Sequence, residues 1–215
     1  MGGILNDHVG RYLHGLQPER APLVREMEEL AARDRIPIVE WETARFLATL
    51  TRALQPRRVL EVGTAIGFST LHIAEQLPPG GRIFTLERDE RRIGQARDFL
   101  DRGGVLDRVE IVEGDALETL PGVDGPFDML FLDATKGEYR RYLEIAEAKS
   151  SERAVLLVDN LLMEGEVALP EGAPTSWNPA SLAAARELNP ELTTSDRWLG
   201  SVLPIGDGIG FATKL

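Results

Sequence analysis

Two acidic residues and an amide lie at the ends of two apolar segments. Asp133 follows the segment 129–132, and Asp159 and Asn160 follow the segment 155–158. If both segments are parallel strands, their carboxyl ends meet at one edge of a sheet and deliver three oxygen ligands. Such ligands suit Mg²⁺ or a similar divalent cation. An Asp at a strand end is also a common turn former, so the prediction of a metal site depends on the three residues together.

A lysine stands three residues after the first of these aspartates. Arginine cannot lose its proton in a protein, whereas a lysine beside a metal in a partly dry pocket can do so and then act as a general base. Lys136 is one of only three lysines in a chain with 24 Lys and Arg residues. We therefore predict that Lys136 is a base. The alternative is a solvated lysine at the start of a helix.

A glycine-containing loop at 61–69 follows the first predicted strand and opens a helix. Open parallel sheets bind ligands beyond the carboxyl ends of their strands. Gly63 and Gly67 let the backbone approach a ligand closely, although the loop lacks the middle glycine of the dinucleotide motif Gly-x-Gly-x-x-Gly. A purely structural turn is the alternative interpretation. The chain also has no Tyr-x-x-x-Lys pair, which excludes a short-chain dehydrogenase.

Two further acidic positions fit a nucleoside. Glu87 ends the next strand, where a carboxylate can accept hydrogen bonds from both hydroxyls of a ribose. After the third strand, Gly114, Asp115 and Ala116 would place a polar side chain and backbone groups near an adenine edge. A turn that caps a helix is the alternative for this second segment.

These residues need an α/β fold to position them. From Arg58 onward, short apolar segments alternate with helical patterns, which predicts a mainly parallel sheet. Strands are expected near 59–62, 83–86, 109–112, 129–132, 155–158, 202–205 and 209–213. The intervening helices are expected at 69–77, 89–102, 138–148 and 179–188. A tight turn at 206–208 joins the last two strands, which we therefore expect to form an antiparallel hairpin.

The chain before Arg58 has a different, all-helical pattern. Helices are expected at 6–16, 22–34 and 43–54, with prolines between them. We therefore divide the chain into a helical appendage at 1–57, a candidate lid or dimer surface, and a cofactor-binding domain at 58–215.

Composition limits the possible functions. The 215 residues include no cysteine and three histidines, which excludes disulfides, thiolate catalysis and Cys-ligated zinc. A formal net charge of −11 argues against a surface that binds nucleic acid along its phosphates. The sequence has neither a long apolar span nor the start of a signal peptide, so we expect a cytoplasmic protein that does not enter a membrane.

Four segments together resemble the cation-dependent S-adenosylmethionine O-methyltransferases, the family of the catechol and caffeoyl-CoA enzymes. They are 60–69 (Leu-Glu-Val-Gly-Thr-Ala-Ile-Gly-Phe-Ser), 127–139, 158–160 and 203–208. The resemblance covers nearly the whole chain. It implies a Rossmann-like class I methyltransferase fold, with a seven-stranded, mostly parallel sheet that ends in an antiparallel hairpin, and commonly a homodimer.

The resemblance also implies roles for individual residues. Lys136 would be the general base beside Asp133, and the divalent cation, Mg²⁺ or another, would be bound by Asp133, Asp159 and Asn160. S-adenosylmethionine would be contacted by Val39, Glu61, Gly63, Thr64, Gly67, Ser69, Glu87, Asp115, Ala116 and Asp133.

Within the family, three segments look like a bacterial branch that methylates 5-hydroxyuridine at the wobble position of tRNA. They are 36–40, 63–67 and 85–92. Phosphates could then be contacted by Arg88, Arg91, Arg92, Arg140 and Arg141. Solvated helix faces are the alternative for these arginines. Thr135 and Glu164 depart from the caffeoyl-CoA enzymes, which have an acidic residue and an Asn there, so a coenzyme A thioester is disfavoured.

Three hypotheses follow. The first is a metal-dependent O-methyltransferase that acts on a hydroxyl of a catechol-like small molecule, because metal chelation explains a need for two neighbouring oxygens. The second is a tRNA 5-hydroxyuridine O-methyltransferase. The third is a non-catalytic protein that binds S-adenosylmethionine.

Overall fold

Three helices precede the sheet, as the sequence predicts. The computed structural model describes residues 7–170 and 172–215, so Asn6, the first residue of the first predicted helix, lies outside the described residues. The helices are α1 (Asp7–Gly15), α2 (Pro22–Asp34) and α3 (Trp41–Leu54). Proline opens α2, where its missing N–H costs nothing, and α3 begins two residues before the predicted position.

The sheet has seven strands in the order β3-β2-β1-β4-β5-β7-β6. The first five in this order are parallel, whereas β7 pairs antiparallel with both β5 and β6. This topology confirms the predicted parallel sheet with a reversed pair at one edge. The strands are β1 (Arg58–Val62), β2 (Arg82–Glu87), β3 (Val109–Glu113), β4 (Phe127–Leu132), β5 (Ser150–Val158), β6 (Trp198–Leu203) and β7 (Ile209–Lys214).

Helices cover both faces of the sheet, which is why its central strands are almost continuously apolar. Those that follow β1 are α4 (Phe68–Ala74), α5 (Glu90–Arg102), α6 (Ala116–Thr119), α7 (Tyr139–Ala148) and α8 (Pro179–Thr194). Short 3-10 segments lie at Leu106–Arg108, Leu120–Gly122, Lys136–Glu138 and Met163–Ala168. Asp89 caps α5 as predicted, because its carboxylate accepts a hydrogen bond from the backbone N–H of Arg92 at 3.0 Å.

Three predicted boundaries were wrong by four residues or more. The fifth strand begins at Ser150 instead of 155. The sixth strand begins at Trp198 instead of 202 and ends at Leu203, and a five-residue loop joins it to β7. The last helix continues past 188 to Thr194 with Pro190 inside it. Proline normally ends a helix, but the buried side chain of Leu192 on the following turn packs into the core and holds the continuation in place.

The hydrophobic core has one part on each face of the sheet. The part under α2–α5 includes Met27, Leu47 and Phe131, so the helices before β1 contribute to the same core as the sheet. The other part lies under α7 and α8 and includes Leu130 and Leu156. Within the described residues, the structure contains no helix with the length and apolar character needed to span a membrane.

Candidate functional site

A cavity of about 240 Å³ opens at the carboxyl ends of the parallel strands. It lies between the loop after β1, the tip of β2, the start of α6 and the loop after β4. Of the thirteen candidate residues from the sequence, nine line it: Val39, Gly63, Thr64, Ser69, Glu87, Asp115, Ala116, Asp133 and Lys136. The structure therefore brings most of the candidate residues to one place.

Gly63 allows two loops to touch at the floor of this cavity. Its φ is +109°, and a Cβ at this position would lie 2.1 Å from the carbonyl oxygen of Asp133. The N–H groups of Gly63 and Thr64 both donate to the carbonyl oxygen of Leu86 at 3.1 Å. Only glycine combines this φ with so close an approach, so the glycine loop is fixed against the loops after β2 and β4.

Gly67 has a role in helix packing. It does not line the cavity; it precedes α4 with a φ of +82°, and a Cβ there would lie 3.3 Å from the side chain of Leu100 and 3.4 Å from that of Ala96. The residue therefore lets α4 pack closely on α5. Helix packing therefore accounts for a glycine here, and contact of Gly67 with a cofactor stays a prediction.

Backbone groups fix the carboxylate of Glu87 at the tip of β2. One oxygen accepts from the N–H of Ala65 at 2.9 Å, and the other accepts from the N–H groups of Arg88 at 2.9 Å and Asp89 at 3.0 Å. A carboxylate has about four lone-pair sites, so these three hydrogen bonds leave one site free, on the oxygen that accepts from Ala65. Glu87 therefore presents a fixed acceptor, which suits a hydroxyl of a ribose.

Asp115 serves as a helix cap and also lines the cavity. Its Oδ1 accepts from the N–H of Leu117 at 2.9 Å, and its Oδ2 lies 3.4 Å from Nη1 of Arg88. The prediction that Asp115 caps a helix is therefore confirmed. A contact between Asp115 and an adenine stays a prediction. Arg88 and Arg92 also line the cavity, where their positive charges offset the carboxylates of Glu87 and Asp115.

Glu61 lies behind the cavity wall and not in it. Its side chain is fully buried, and its carboxylate accepts hydrogen bonds from the hydroxyls of Ser69 at 2.6 Å, Thr85 at 2.5 Å, and Thr70. Burial raises the pKa of Glu61 to about 7. Glu61 touches Ser69, which does line the cavity, and a direct contact between Glu61 and a cofactor stays a prediction.

An ion pair between Lys136 and Asp133 forms one wall. The Nζ of Lys136 lies 2.6 Å from Oδ1 of Asp133, and both side chains are only 18% exposed. Burial is the largest single effect and lowers the pKa of Lys136. The charge and hydrogen bond of Asp133, together with Tyr139 and Asp159, outweigh it, and the net pKa lies above the usual value. In this arrangement Lys136 is an ammonium.

Asp159 and Asn160 lie next to this wall but outside the cavity lining. Asp159 is buried, and burial followed by the charge of Asp133 raises its pKa well above the usual value, while Lys136 opposes the rise. Asn160 has a φ of +61°, and its side-chain N–H donates to Oδ2 of Asp207 at 3.3 Å. The carboxyl groups of Asp133 and Asp159 thus share one ammonium group, that of Lys136. A bound cation would offset the repulsion between the two carboxylates.

These residues fit a divalent cation by their chemistry. Across residues 7–170 and 172–215, no group of three or more His, Cys, Asp or Glu side chains could hold a metal ion. The candidate set has two carboxylates and one amide oxygen, and such oxygen donors are the ligands of Mg²⁺, which keeps several waters.

Tyr139 was not among the residues predicted for the site. Its buried phenol donates to the backbone carbonyl oxygen of Asp159 at 3.1 Å, and its ring centroid lies 5.5 Å from Nζ of Lys136. It thereby connects the loop after β5 to the lysine. A tyrosine at the start of a helix looks like a core residue in the sequence, so no local signal could have shown this contact.

Most arginines that were candidates for phosphate contact are paired within the chain. Arg91 pairs with Asp34 at 2.7 Å, Arg140 with Glu144 at 3.4 Å, and Arg88 with Asp115. These ion pairs agree with the interpretation as solvated helix faces.

Two catechol O-methyltransferases are similar in sequence to this chain. The catechol O-methyltransferase of Mycobacterium tuberculosis is 43% identical over 143 residues, which is 64% of this chain and 65% of that protein. The catechol O-methyltransferase of Niastella koreensis is 37% identical over 127 residues, 57% of this chain and 58% of that protein. The match thus spans less than two thirds of each of these relatives.

A solved structure matches over more of the chain. The O-methyltransferase TomG from Streptomyces achromogenes, crystallised in complex with SAM, superposes with a TM-score of 0.83 at 29% identity and covers 96% of both chains. A family model described as O-methyltransferase matches residues 17–215. Together with the cavity at the strand ends, this match shows that the chain belongs to the O-methyltransferase family.

Proposed function

We propose that this protein transfers a methyl group from S-adenosylmethionine to a hydroxyl of a catechol-like small molecule, and that a divalent cation assists at Asp133, Asp159 and Asn160. The observation that carries the proposal is the ion pair of Lys136 and Asp133 in the cavity wall, beside the buried Asp159. It joins a potential base and potential metal ligands in one place.

The cavity supports the choice of cofactor. The fixed carboxylate of Glu87 can accept a hydrogen bond from a ribose hydroxyl, and the start of α6 at Asp115 and Ala116 supplies polar groups for the adenine base. The related TomG structure holds SAM. When bound, S-adenosylmethionine supplies a methyl group on a sulfonium, and the cation lowers the pKa of a hydroxyl that it contacts.

Lys136 has the position of the base. In the proposed reaction its Nζ receives the proton of the acceptor hydroxyl, the oxygen forms a bond to the methyl carbon, and the bond from carbon to sulfur breaks. Lys136 must be neutral for this step. In the absence of a cation, the negative charge of Asp133 keeps Lys136 protonated. Once the charge of Asp133 is compensated, burial remains and favours the neutral amine.

A paired assay with methyl-labelled S-adenosylmethionine tests the proposal. A panel of catechols and a tRNA that contains 5-hydroxyuridine are offered, each with and without EDTA. We expect the catechols to be labelled and the tRNA to stay unlabelled. In the presence of EDTA, neither acceptor should be labelled. Methylation of tRNA alone would overturn the proposed acceptor, and activity that EDTA does not change would remove the cation. The dimer and the cytoplasmic location stay predictions.

A further inference from the structure

The buried carboxylate of Glu61 is the centre of a closed network of hydroxyl groups. Ser69, Thr70 and Thr85 bond directly to it, and the hydroxyl of Thr64 lies 2.6 Å from that of Thr85. Ser69 and Thr64 also line the cavity. The network therefore connects a buried acid to two hydroxyls that a ligand can touch.

The protons of this network can be counted. An ionised carboxylate can only accept, so each of its three hydrogen bonds consumes the proton of one hydroxyl. Because Thr85 gives its proton to Glu61, the bond between Thr85 and Thr64 must use the proton of Thr64. Four hydroxyl protons then serve four bonds. While Glu61 is ionised, Ser69 and Thr64 offer only lone pairs to the cavity.

Protonation of Glu61 changes this count by one. Five protons then serve the same four hydrogen bonds, so one hydroxyl becomes free to donate. Ser69 is released if Glu61 donates to it, and Thr64 is released if Glu61 donates to Thr85. Thus, the cavity wall gains one hydrogen-bond donor when the proton of Glu61 is donated to Ser69 or Thr85. If it is donated to Thr70, the released hydroxyl lies outside the cavity, and a ligand that needs a donor selects the first two arrangements.

The groups around Glu61 leave it close to this change. From α4 it faces the hydroxyls of Ser69 and Thr70, and from β2 that of Thr85. On β4, Phe131 is the strand partner of Glu61. Asp133 lies two residues further along and is paired with Lys136, and its negative charge helps to raise the pKa of Glu61. His72 on α4 is turned away, toward the rings of Trp41 and Phe68. Burial brings the pKa of Glu61 to about 7, so little free energy separates its two states at neutral pH.

We propose that Glu61 is a positioning residue that takes up a proton when the carboxylate of the cofactor's amino-acid end binds at Ser69 and Thr64. This inference rests on the proposed function, because S-adenosylmethionine carries that amino-acid end. The carboxylate of Asp133 in the same cavity is the natural partner of the ligand's ammonium, which leaves the ligand carboxylate for the hydroxyls. A carboxylate needs a donor there, and the proton on Glu61 supplies it.

Titration calorimetry with S-adenosylhomocysteine tests the proposal. The product carries the same amino-acid end and does not react. The heat is measured at pH 7.5 in phosphate and in Tris, whose ionisation enthalpies differ, so the difference gives the number of protons taken up. We expect wild-type protein to take up about half a proton or more above the value for Glu61→Gln. The affinity of the wild type should fall as the pH rises above 7, while that of Glu61→Gln changes less.

The matched control is Thr51→Val. Thr51 is also buried, but its hydroxyl donates to the backbone carbonyl oxygen of Leu47 in α3 and does not touch Glu61, so this variant should keep the proton uptake. Equal proton numbers for wild type and Glu61→Gln, with both proteins binding the ligand, would overturn the inference. The absence of binding by the wild type at every pH would instead contradict the proposed function.

A measurement on wild-type protein covers the case in which Glu61→Gln fails to fold. The carbon-13 resonance of the Glu61 carboxyl group, assigned in protein labelled at its glutamates, reports its protonation directly. We expect the midpoint of its titration to move to higher pH when S-adenosylhomocysteine is added. An unchanged midpoint in the saturated complex would be as decisive against the inference as equal proton numbers.

Discussion

Gly63 allows close contact between the loops after β1 and β4. In Gly63→Ala the new Cβ would lie 2.1 Å from the carbonyl oxygen of Asp133, at a φ that side chains rarely adopt. Because backbone must move, we expect a loss of about 3 kcal/mol in the free energy of unfolding, measured with urea. Binding of S-adenosylmethionine should be lost as well.

Gly94 provides the control for this substitution. It lies inside α5, and no atom lies within 4 Å of a Cβ built there. Gly94→Ala should therefore stabilise the protein by up to about 1 kcal/mol, the helix-propensity difference between the two residues. If Gly63→Ala is as stable as wild type, the backbone at residue 63 does not lie as close to the carbonyl oxygen of Asp133 as the structure has it.

Lys136→Arg separates the charge of this residue from its capacity to act as a base. Arginine can keep an ion pair with Asp133, but it cannot lose its proton. We expect kcat to fall by roughly 10² to 10⁴, the usual contribution of a positioned base, with the affinity for S-adenosylmethionine unchanged. Lys136→Met should lose a similar factor. Turnover of Lys136→Arg at the wild-type rate at neutral pH would exclude Lys136 as the base.

At the scale of elements, the parallel strands could be predicted because they are buried on both faces. Their apolar segments are therefore continuous, and the polar residue after each strand marks the sheet edge. That is why Glu87, Asp133 and Asp159 could be assigned to one edge from the sequence alone. The sixth strand could not be placed, because the exposed Leu199 and the glycine at 200 break its pattern.

Other features depend on tertiary contacts that carry no local signal. The continuation of α8 past Pro190 is held by packing of Leu192, which overrides the propensity of proline to end a helix. The position of Glu61 behind Ser69 depends on which side of β1 faces α4. A glutamate at the end of a strand predicts a residue that meets a ligand, and only the surrounding hydroxyls show that it is enclosed.

The hairpin of β6 and β7 holds the loop that carries Asn160. The N–H groups of Leu161 and Leu162 donate to the carbonyl oxygens of Gly208 and Asp207, and the carboxylate of Asp207 accepts from the side chain of Asn160. Asp207→Ala frees that side chain. We expect the affinity for Mg²⁺ to fall by about 10 to 100-fold, as for other partners of metal ligands.

Calorimetry with S-adenosylhomocysteine present measures this effect. The affinity for S-adenosylhomocysteine itself should not change, because Asp207 does not line the cavity. Asp196→Ala, at an exposed residue before β6, removes the same charge far from these hydrogen bonds and is the control. Equal Mg²⁺ affinities of Asp207→Ala and Asp196→Ala would show that the hairpin does not position the metal ligands.

For the whole molecule, the site depends on parts of the chain that are distant in sequence. The segment between α2 and α3 delivers Val39, β1 delivers the glycine loop, and β4 and β5 deliver the aspartates. The cavity therefore forms only when the fold is complete. A ligand that binds here should stabilise the entire protein, because the unfolded chain has no such site.

Thermal unfolding with Mg²⁺ tests this coupling together with the cation site. At about 100 times its Kd, a ligand stabilises the native state by about 3 kcal/mol, which corresponds to about 5 to 10 °C in the Tm of a chain of this size. We expect such a shift for wild type and its reversal by EDTA.

Asp159→Asn removes a buried carboxyl group with a raised pKa, so its Tm without metal should equal or exceed that of wild type. The same variant should lose the Mg²⁺ shift, because one of two anionic ligands is gone. A full shift in Asp159→Asn would place the cation elsewhere on a chain whose net charge of −11 attracts divalent ions in general.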